Sequence, residues 1–326
     1  MSRNKLLSII IPAYNAEKYI LPCLRSLKQL MVDELEILVI NDGSRDNTES
    51  IVTDYAISDQ RVRLISVPNG GVSKARNTGI DNAAGRFIMF LDADDYLISD
   101  RFDKIEELVR SDEYDFVAFS RDIIEENGKI WNDPFPFDDE ETSDKEISDR
   151  IMYAHSMFNE CWGKLFKKSV IDENNIRFPV GVPIGEDLMF VMEYYSHCQK
   201  PYVCNSALVA YRQHGESAMK KYGIQDRMKY TQDLYSYSKK YIPEKLLASS
   251  VFYYFKVLTN LCREYSGDGM NSGAIKAIYS SQMSKEVMDK LNGRSVPAYK
   301  KHEYLMMKCR MSHISALYYF FKAKAG

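Results

Sequence analysis

An α/β fold, with a mostly parallel sheet flanked by helices and a mainly helical C-terminal region, is predicted by three observations. Four short apolar runs punctuate the first hundred residues: Leu7–Ile11, Leu35–Ile40, Arg63–Val67 and Phe87–Leu91. Segments of helical pattern separate them, so the chain alternates strand and helix. The runs are rich in Ile, Val, Leu and Phe, as strands covered on both faces are.

Taken in order, LSIII (7–11) is the first strand, and Pro22 suits the first turn of a helix running to about Leu30. LEILVI (35–40) is the second strand. Asp46 and Glu49 form a capping-box-like start for a helix through about Ile57. RLISV (63–67) is the third strand, and Val72–Ala83 is a helix after Gly70-Gly71. FIMFL (87–91) is the fourth. Beyond Asp100 the pattern loosens. DFVAFS (115–120) is a further strand and Asn127-Gly128 a turn. The acidic, Pro-containing stretch 132–149 reads as an exposed loop, followed by helices at about Ile147–Phe158 and at 186–196. From Gln225 the reading is helical, with breaks at Pro243, Gly267–Gly273 and Pro297.

The 326 residues carry 43 basic and 46 acidic side chains, a net charge of −3, which argues against a dedicated nucleic-acid binder. The charge is uneven: residues 290–326 hold eight Lys or Arg and one acid, Glu303, a net of +7 against −10 for the rest. The six cysteines show no C-x-x-C and no zinc-site spacing. The N-terminus does not read as a signal peptide, and no apolar run approaches the ~18–20 residues of a membrane span. A reducing, cytoplasmic setting is expected.

Ligands of open α/β sheets bind outside the carboxyl ends of the strands. Three strands run there into polar clusters: Pro12-Ala13-Tyr14-Asn15, Asn41-Asp42-Gly43-Ser44 and Asp92-Ala93-Asp94-Asp95. A phosphate brought beside three aspartates needs a divalent cation between them, so the Asp-x-Asp suits Mg²⁺ or Mn²⁺; alone, it is equally a solvated loop end with a capping role. The Asn41–Ser44 cluster alone also reads as a turn and cap. Gly70-Gly71 opens a helix with Lys74 and Arg76 in its first turns, but it is neither a G-x-G-x-x-G nor a P-loop. Dehydrogenase and kinase readings lose their main motif there.

In order and spacing, SIIIPAYN, VINDGS-x-D-x-T, GG-x-S-x-ARN-x-G and FLDADD resemble the inverting nucleotide-sugar glycosyltransferases of family 2, of the bacterial surface-polysaccharide type. The resemblance spans about residues 6–215. Cys161-Trp162-Gly163-Lys164-Leu165-Phe166, Gly185-Glu186-Asp187 and Tyr211-Arg212-Gln213-His214-x-x-Ser217 match further family segments.

The resemblance implies a GT-A catalytic domain over 1–220, with a nucleotide-sugar half to about 100 and an acceptor half from 101, then a helical region over 221–326. It implies that Pro12, Tyr14 and Asn15 line the base and ribose, and that Asp42 contacts the uracil or ribose edge. Arg76 approaches the diphosphate or holds the Asp42 loop, against the plain reading of a surface helix charge. Asp92 meets the ribose or sugar. Asp94 is the metal ligand, with Asp95 a further ligand or the cap of the following helix. Asp187 is the catalytic base, with Glu186 the alternative. Arg212 and His214, with Ser217, belong to a diphosphate-side loop, His214 as a second metal ligand or a structural histidine. Trp162 and Lys164 shape the acceptor pocket, or Trp162 is core.

The activity implied is a metal-dependent, inverting transfer of a hexosyl type from a UDP-sugar to a glycan or lipid-linked glycan. A sugar-phosphate nucleotidyltransferase would carry a glycine- and arginine-rich signature where this chain has PAYN. An inactive saccharide- or nucleotide-binding module would lack the Asp-x-Asp or the E-D carboxylates. A glycoside hydrolase would need no nucleotide site. The basic tail, LMMKCRM (305–311) and LYYFFK (317–322), reads in two ways: an interfacial helix on an anionic membrane, or packing against the catalytic domain or a second subunit. Packing is preferred.

Overall fold

The strands expected from apolar runs form one end of a ten-stranded sheet. β1 (Leu7–Ala13), β2 (Leu35–Asp42), β3 (Val62–Val67) and β4 (Phe87–Phe90) pair in parallel in the order β3-β2-β1-β4. In β1, β2 and β4 nearly every residue is buried; β3, at the sheet's edge, exposes Arg63 and Ser66, so burial on both faces fails there. The structure is a computed structural model that describes residues 5–30, 34–98, 102–125, 127–135, 141–154, 160–182, 184–212, 224–241, 247–267, 272–291 and 296–325.

Helices α1 (Ile20–Ser26), α2 (Thr48–Ser58) and α3 (Val72–Asn82) connect these strands. Pro22 lies in the first turn of α1, which tightens into a 3₁₀ turn over Leu27–Gln29. The expected capping box at α2 does not form: Asp46 accepts from the Thr48 N–H and hydroxyl, while Glu49 turns to Asn41 Nδ2. Helix α3 lies close on β1 and β2, and Gly79 makes that approach possible. A Cβ there would stand 2.3 Å from Ile10 Cγ2. Gly79→Ala is expected to cost about 1–3 kcal/mol through overpacking, despite the better helix propensity of Ala. Chemical denaturation checks this; unchanged stability would mean that α3 shifts freely on the sheet.

Beyond residue 100 the sheet is mixed, and several elements lie outside what the apolar runs predict. These are β5 (Tyr96–Leu97), α4 (Phe102–Ser111), β7 (Ile130–Asp133), β8 (Glu141–Thr142), β9 (Lys164–Lys167), α6 (Lys168–Glu173) and the long β10 (Pro201–Arg212), added to β6 (Phe116–Ile124), α5 (Lys145–Ala154) and α7 (Glu186–Ser196). Strand β9 runs antiparallel between β4 and β6, and β6 pairs in parallel with β10. The expected loop 132–149 therefore contains strand residues and the start of α5; residues 155–158 of the expected helix lie outside the described residues. The core under this half is aromatic: Phe90 packs edge-on against Phe166, Phe178 and Phe190.

The chain divides into two compact units, Met1–Ile151 with Met157–Ser217, and Met152–Ser156 with Ala218–Gly326. The second is helical: α8 (Ile224–Ser238), α9 (Leu247–Gly267), α10 (Ser272–Ser280), α11 (Gln282–Lys290), α12 (Lys301–Lys308) and α13 (Ser312–Ala325). Its core gathers Phe255, Leu258 and Cys262 of α9 with Ile275, Val287, Tyr304, Met307 and Tyr319. The tail residues Tyr304, Met307 and Tyr319 are thus buried within their own unit. Of the expected breaks, Gly267 ends α9 and Pro297 precedes a 3₁₀ turn, but Gly273 lies inside α10; Pro243 is outside the described residues.

Candidate active site

The carboxyl ends of β1, β2 and β4 bring the three polar clusters together. Between the first two, backbone amides and side chains interlock. Asn15, at φ +49°, accepts the Arg45 N–H on its side-chain oxygen at 2.8 Å, and its own N–H donates to Ser44 Oγ at 3.0 Å. Tyr14 is 51% exposed beside it, while Pro12 is half-buried. Gly43 takes φ +69° where a Cβ would meet the Asn69 N at 2.8 Å, so a side chain there would strain the turn.

Asp42 closes this turn from inside. It is buried, its Oδ1 accepting the Gly70 N–H at 2.8 Å and its Oδ2 the Gly71 N–H at 2.9 Å, with Asn69 Nδ2 at 3.2 Å. The carboxylate expected to face a base or ribose edge also organises the 69–71 loop ahead of α3.

Arg76 departs from two of its expected readings. It is neither a surface charge nor a partner of the Asp42 loop. Its guanidinium is buried, with Nη2 2.9 Å from Asp92 Oδ1 and Nη1 2.6 Å from Asp187 Oδ1 and 3.3 Å from Glu186 Oε1. Its Cζ lies 5.2 Å from the centre of the Phe178 ring. Burial works against its charge, but Asp187, Asp92 and Glu186 hold its pKa well above the ordinary value. The next residue, Asn77, assigned no role from sequence, exchanges two hydrogen bonds with the Phe178 backbone at 2.8 and 2.9 Å. The A-R-N segment of α3 thus pins the chain that leads to α7.

Helix α7 starts at Glu186 after Gly185 in the left-handed region, which puts Glu186 and Asp187 in its first turn. Oδ2 of Asp187 accepts the Cys161 N–H at 3.3 Å. Burial, helped by the nearby Glu186 and Asp92 charges and opposed by Arg76, pushes the Asp187 carboxyl up to about 7.

Asp92, Asp94 and Asp95 each offer a carboxylate oxygen, all within 4.8 Å of one another. Asp95 precedes the short strand β5 and so does not cap the following helix. It is buried, its Oδ1 accepts the Arg212 N–H at 2.8 Å, and its Oδ2 has no hydrogen-bond partner. Burial and the neighbouring Asp92 raise its pKa to about 8. An all-oxygen donor set with an orphaned buried carboxylate oxygen fits Mg²⁺ or Mn²⁺. Five carboxylates, Asp92, Asp94, Asp95, Glu186 and Asp187, stand here against the guanidiniums of Arg76 and Arg212, which also favours a divalent cation. Arg212, at the end of β10, lies over the rings of Tyr19 and Tyr96 at 5.2 and 5.8 Å.

Trp162 and Lys164, expected at an acceptor pocket, are both buried. Trp162 belongs to the sheet's core, stacking on Tyr211 with ring centres 5.4 Å apart and 10° between planes, with Arg121 over it at 5.4 Å. Burial lowers the Lys164 pKa, and its Nζ reaches the Trp162 carbonyl at 3.4 Å. Arg121 in turn pairs with Glu160 and Asp133, each at 2.8 Å. His214 and Ser217 lie outside the described residues.

Residues 8–174 match the family model described as Glycosyl transferase family 2. Among relatives, the uncharacterized glycosyltransferase EpsJ of Bacillus subtilis (strain 168) is 30% identical over 214 residues, 65% of this chain and 62% of that protein. The minor teichoic acid biosynthesis protein GgaB of the same organism is 31% identical over 225 residues, 67% of this chain and 24% of its own length. The chain thus spans less than two-thirds of the length of these curated relatives. Among solved structures, S. aureus TarS 1–349 in complex with UDP-GlcNAc superposes with a TM-score of 0.71 at 21% identity, over 95% of this chain and 88% of that one. That likeness carries the GT-A-like fold.

Proposed function

The chain belongs to glycosyl transferase family 2, and from that premise we propose that it moves a hexosyl unit from a nucleotide sugar to a hydroxyl of a glycan or lipid-linked glycan, with inversion. The observation that carries the reading is Arg76, a buried cation joining Asp92 of the metal-fitting triad to Glu186 and Asp187. A transfer needs those two regions side by side, one for the departing diphosphate and one for the attacking oxygen. A UDP-sugar is the proposed donor, in line with the UDP-GlcNAc and UDP complexes of TarS.

Asp187 is the proposed base. Its Oδ1 is engaged by Arg76, while Oδ2 has only the long Cys161 contact and takes the proton of the acceptor hydroxyl. The acceptor oxygen forms its bond to the anomeric carbon as the bond to the diphosphate oxygen breaks, and one displacement inverts that centre. Asp94, with Asp92 and Asp95, would hold Mn²⁺ or Mg²⁺, which supplies positive charge to the diphosphate. Arg212 adds a cation on that side, and Tyr14, Asn15 and Pro12 offer the exposed edge beside which a base and ribose would lie. By the family resemblance His214 and Ser217 would also serve the diphosphate, and the site would work at the cytoplasmic face of the membrane.

A panel of nucleotide sugars scored for nucleotide release tests this. Release from one of them is expected, abolished by a chelator and restored by Mn²⁺ or Mg²⁺. Asp94→Ala is expected to lower turnover on the order of 100-fold or more with the fold retained by circular dichroism. Full turnover in the chelator, or in Asp94→Ala, would remove the metal from the reading; pyrophosphate release from UTP and a sugar phosphate would replace the reading.

A further inference from the structure

The basic tail is only half accounted for by the core of the helical unit. While Tyr304, Met307 and Tyr319 point inward, Leu305, Met311, Ile314 and Leu317 are 55, 40, 52 and 45% exposed. Four of the ten large hydrophobic side chains exposed among the described residues therefore fall within thirteen positions of one segment. On α12, Lys301, Leu305 and Lys308 recur at i, i+4 and i+7 and share one exposed face. On α13, Ile314 and Leu317 share another, beside His313. Arg310 and Met311 are exposed in the turn between the two helices.

The charges of this surface have one sign. Glu303, the single acid of residues 290–326, is fully buried and pairs with Lys300 at 2.7 Å. The exposed charged residues of the described segment 296–319 are thus Lys301, Lys308 and Arg310, all basic. Apolar and basic residues interleaved on an exposed helical surface match a negatively charged lipid interface, with Leu, Ile and Met entering the acyl boundary and Lys and Arg meeting the headgroup phosphates. A second copy is a poor occupant, because a two-fold contact would set these cations against themselves. No described helix is long and apolar enough to cross a membrane, so the contact would be interfacial.

We infer that the outward surface of α12 and α13, through Leu305, Ile314, Leu317, Lys301, Lys308 and Arg310, docks on an anionic lipid bilayer. It stands apart from sugar transfer and is measured without it.

The test is co-sedimentation of the full chain with phosphatidylcholine vesicles with and without phosphatidylglycerol. Binding is expected only with phosphatidylglycerol, and it should weaken as salt screens the charges. Two triple variants carry the argument: Leu305→Ser with Ile314→Ser and Leu317→Ser, and Lys301→Glu with Lys308→Glu and Arg310→Glu. Each should reduce binding by about tenfold or more. All six side chains are exposed, so both variants should keep the wild-type circular dichroism and nucleotide release from the donor. Asp187→Asn should bind vesicles as the wild type does, so a failed transfer reading and a failed docking reading are told apart. Equal binding to both vesicle types, no binding to either, or unchanged binding in both variants would overturn the inference. So would a concentration-dependent dimer that the serine variant abolishes, which would make a second copy the occupant.

Discussion

Asp187→Asn is expected to lower the turnover number for sugar transfer by about 10²–10⁴-fold, with the donor's KM little changed. The side chains are isosteric, and the Asn oxygen can still accept from Arg76 Nη1, now 2.6 Å from Asp187 Oδ1. Two carboxylates, Asp92 and Glu186, remain to neutralise that guanidinium, so the fold should persist. What the amide cannot do is take a proton from the acceptor hydroxyl. The pH dependence separates this role from a structural one. Burial pushes the Asp187 carboxyl up to about 7, and a base works only when ionised. Wild-type turnover should therefore fall as pH drops through about 7, by roughly tenfold per unit below it, and the residual turnover of Asp187→Asn should lack that limb. Initial rates of nucleotide release across this range decide the point. An Asn variant within about threefold of wild type that keeps the acid limb would pass the role to Glu186, whose Gln variant would then lose it.

The parallel half of this fold is legible in the sequence because each of its strands is a separate apolar run between helical segments. The other half is not, for identifiable reasons. Strand β10 is interrupted in sequence by Asn205-Ser206, where its pairing with β6 shifts register between Cys204 and Ala207, so no single apolar run announces it. Strand β9 is only Lys-Leu-Phe-Lys, and its first lysine is buried, the reverse of what a lysine signals. The site is legible in part. Strand-end aspartates mark themselves by position, and the triad that fits a cation follows from the Asp-x-Asp spacing. Arg76 does not mark its partners. They lie 16, 110 and 111 residues away, and only the folded sheet brings Asp92, Glu186 and Asp187 to one guanidinium. The Asp42 carboxylate likewise does not mark its backbone partners in sequence, the N–H groups of Gly70 and Gly71, 28 and 29 residues away.

That hub gives the largest expected effect on stability. Arg76→Met is expected to destabilise the protein by about 3 kcal/mol, the lower end for breaking a buried ion pair, since the carboxylates it would abandon retain some contact with water. For a unit of this size, the thermal midpoint should fall by roughly 10 °C. Methionine fills much of the volume, so the loss reports charge rather than a cavity. Lysine should not rescue it: one ammonium cannot reach Asp92 and Asp187 as the two terminal nitrogens of one planar guanidinium do, at 2.9 and 2.6 Å. A double-mutant cycle locates the cause. With Asp187→Asn already made, one fewer charge is stranded, so Arg76→Met should cost less than in the wild type, by about 0.5–3 kcal/mol. Chemical denaturation of the four proteins gives the coupling. A stable Arg76→Met protein, or full recovery in Arg76→Lys, would mean that the carboxylates do not need this cation in the folded state. The metal-fitting triad and the E-D pair would then be held together by packing, with Asn77 and the Phe178 backbone the first place to look.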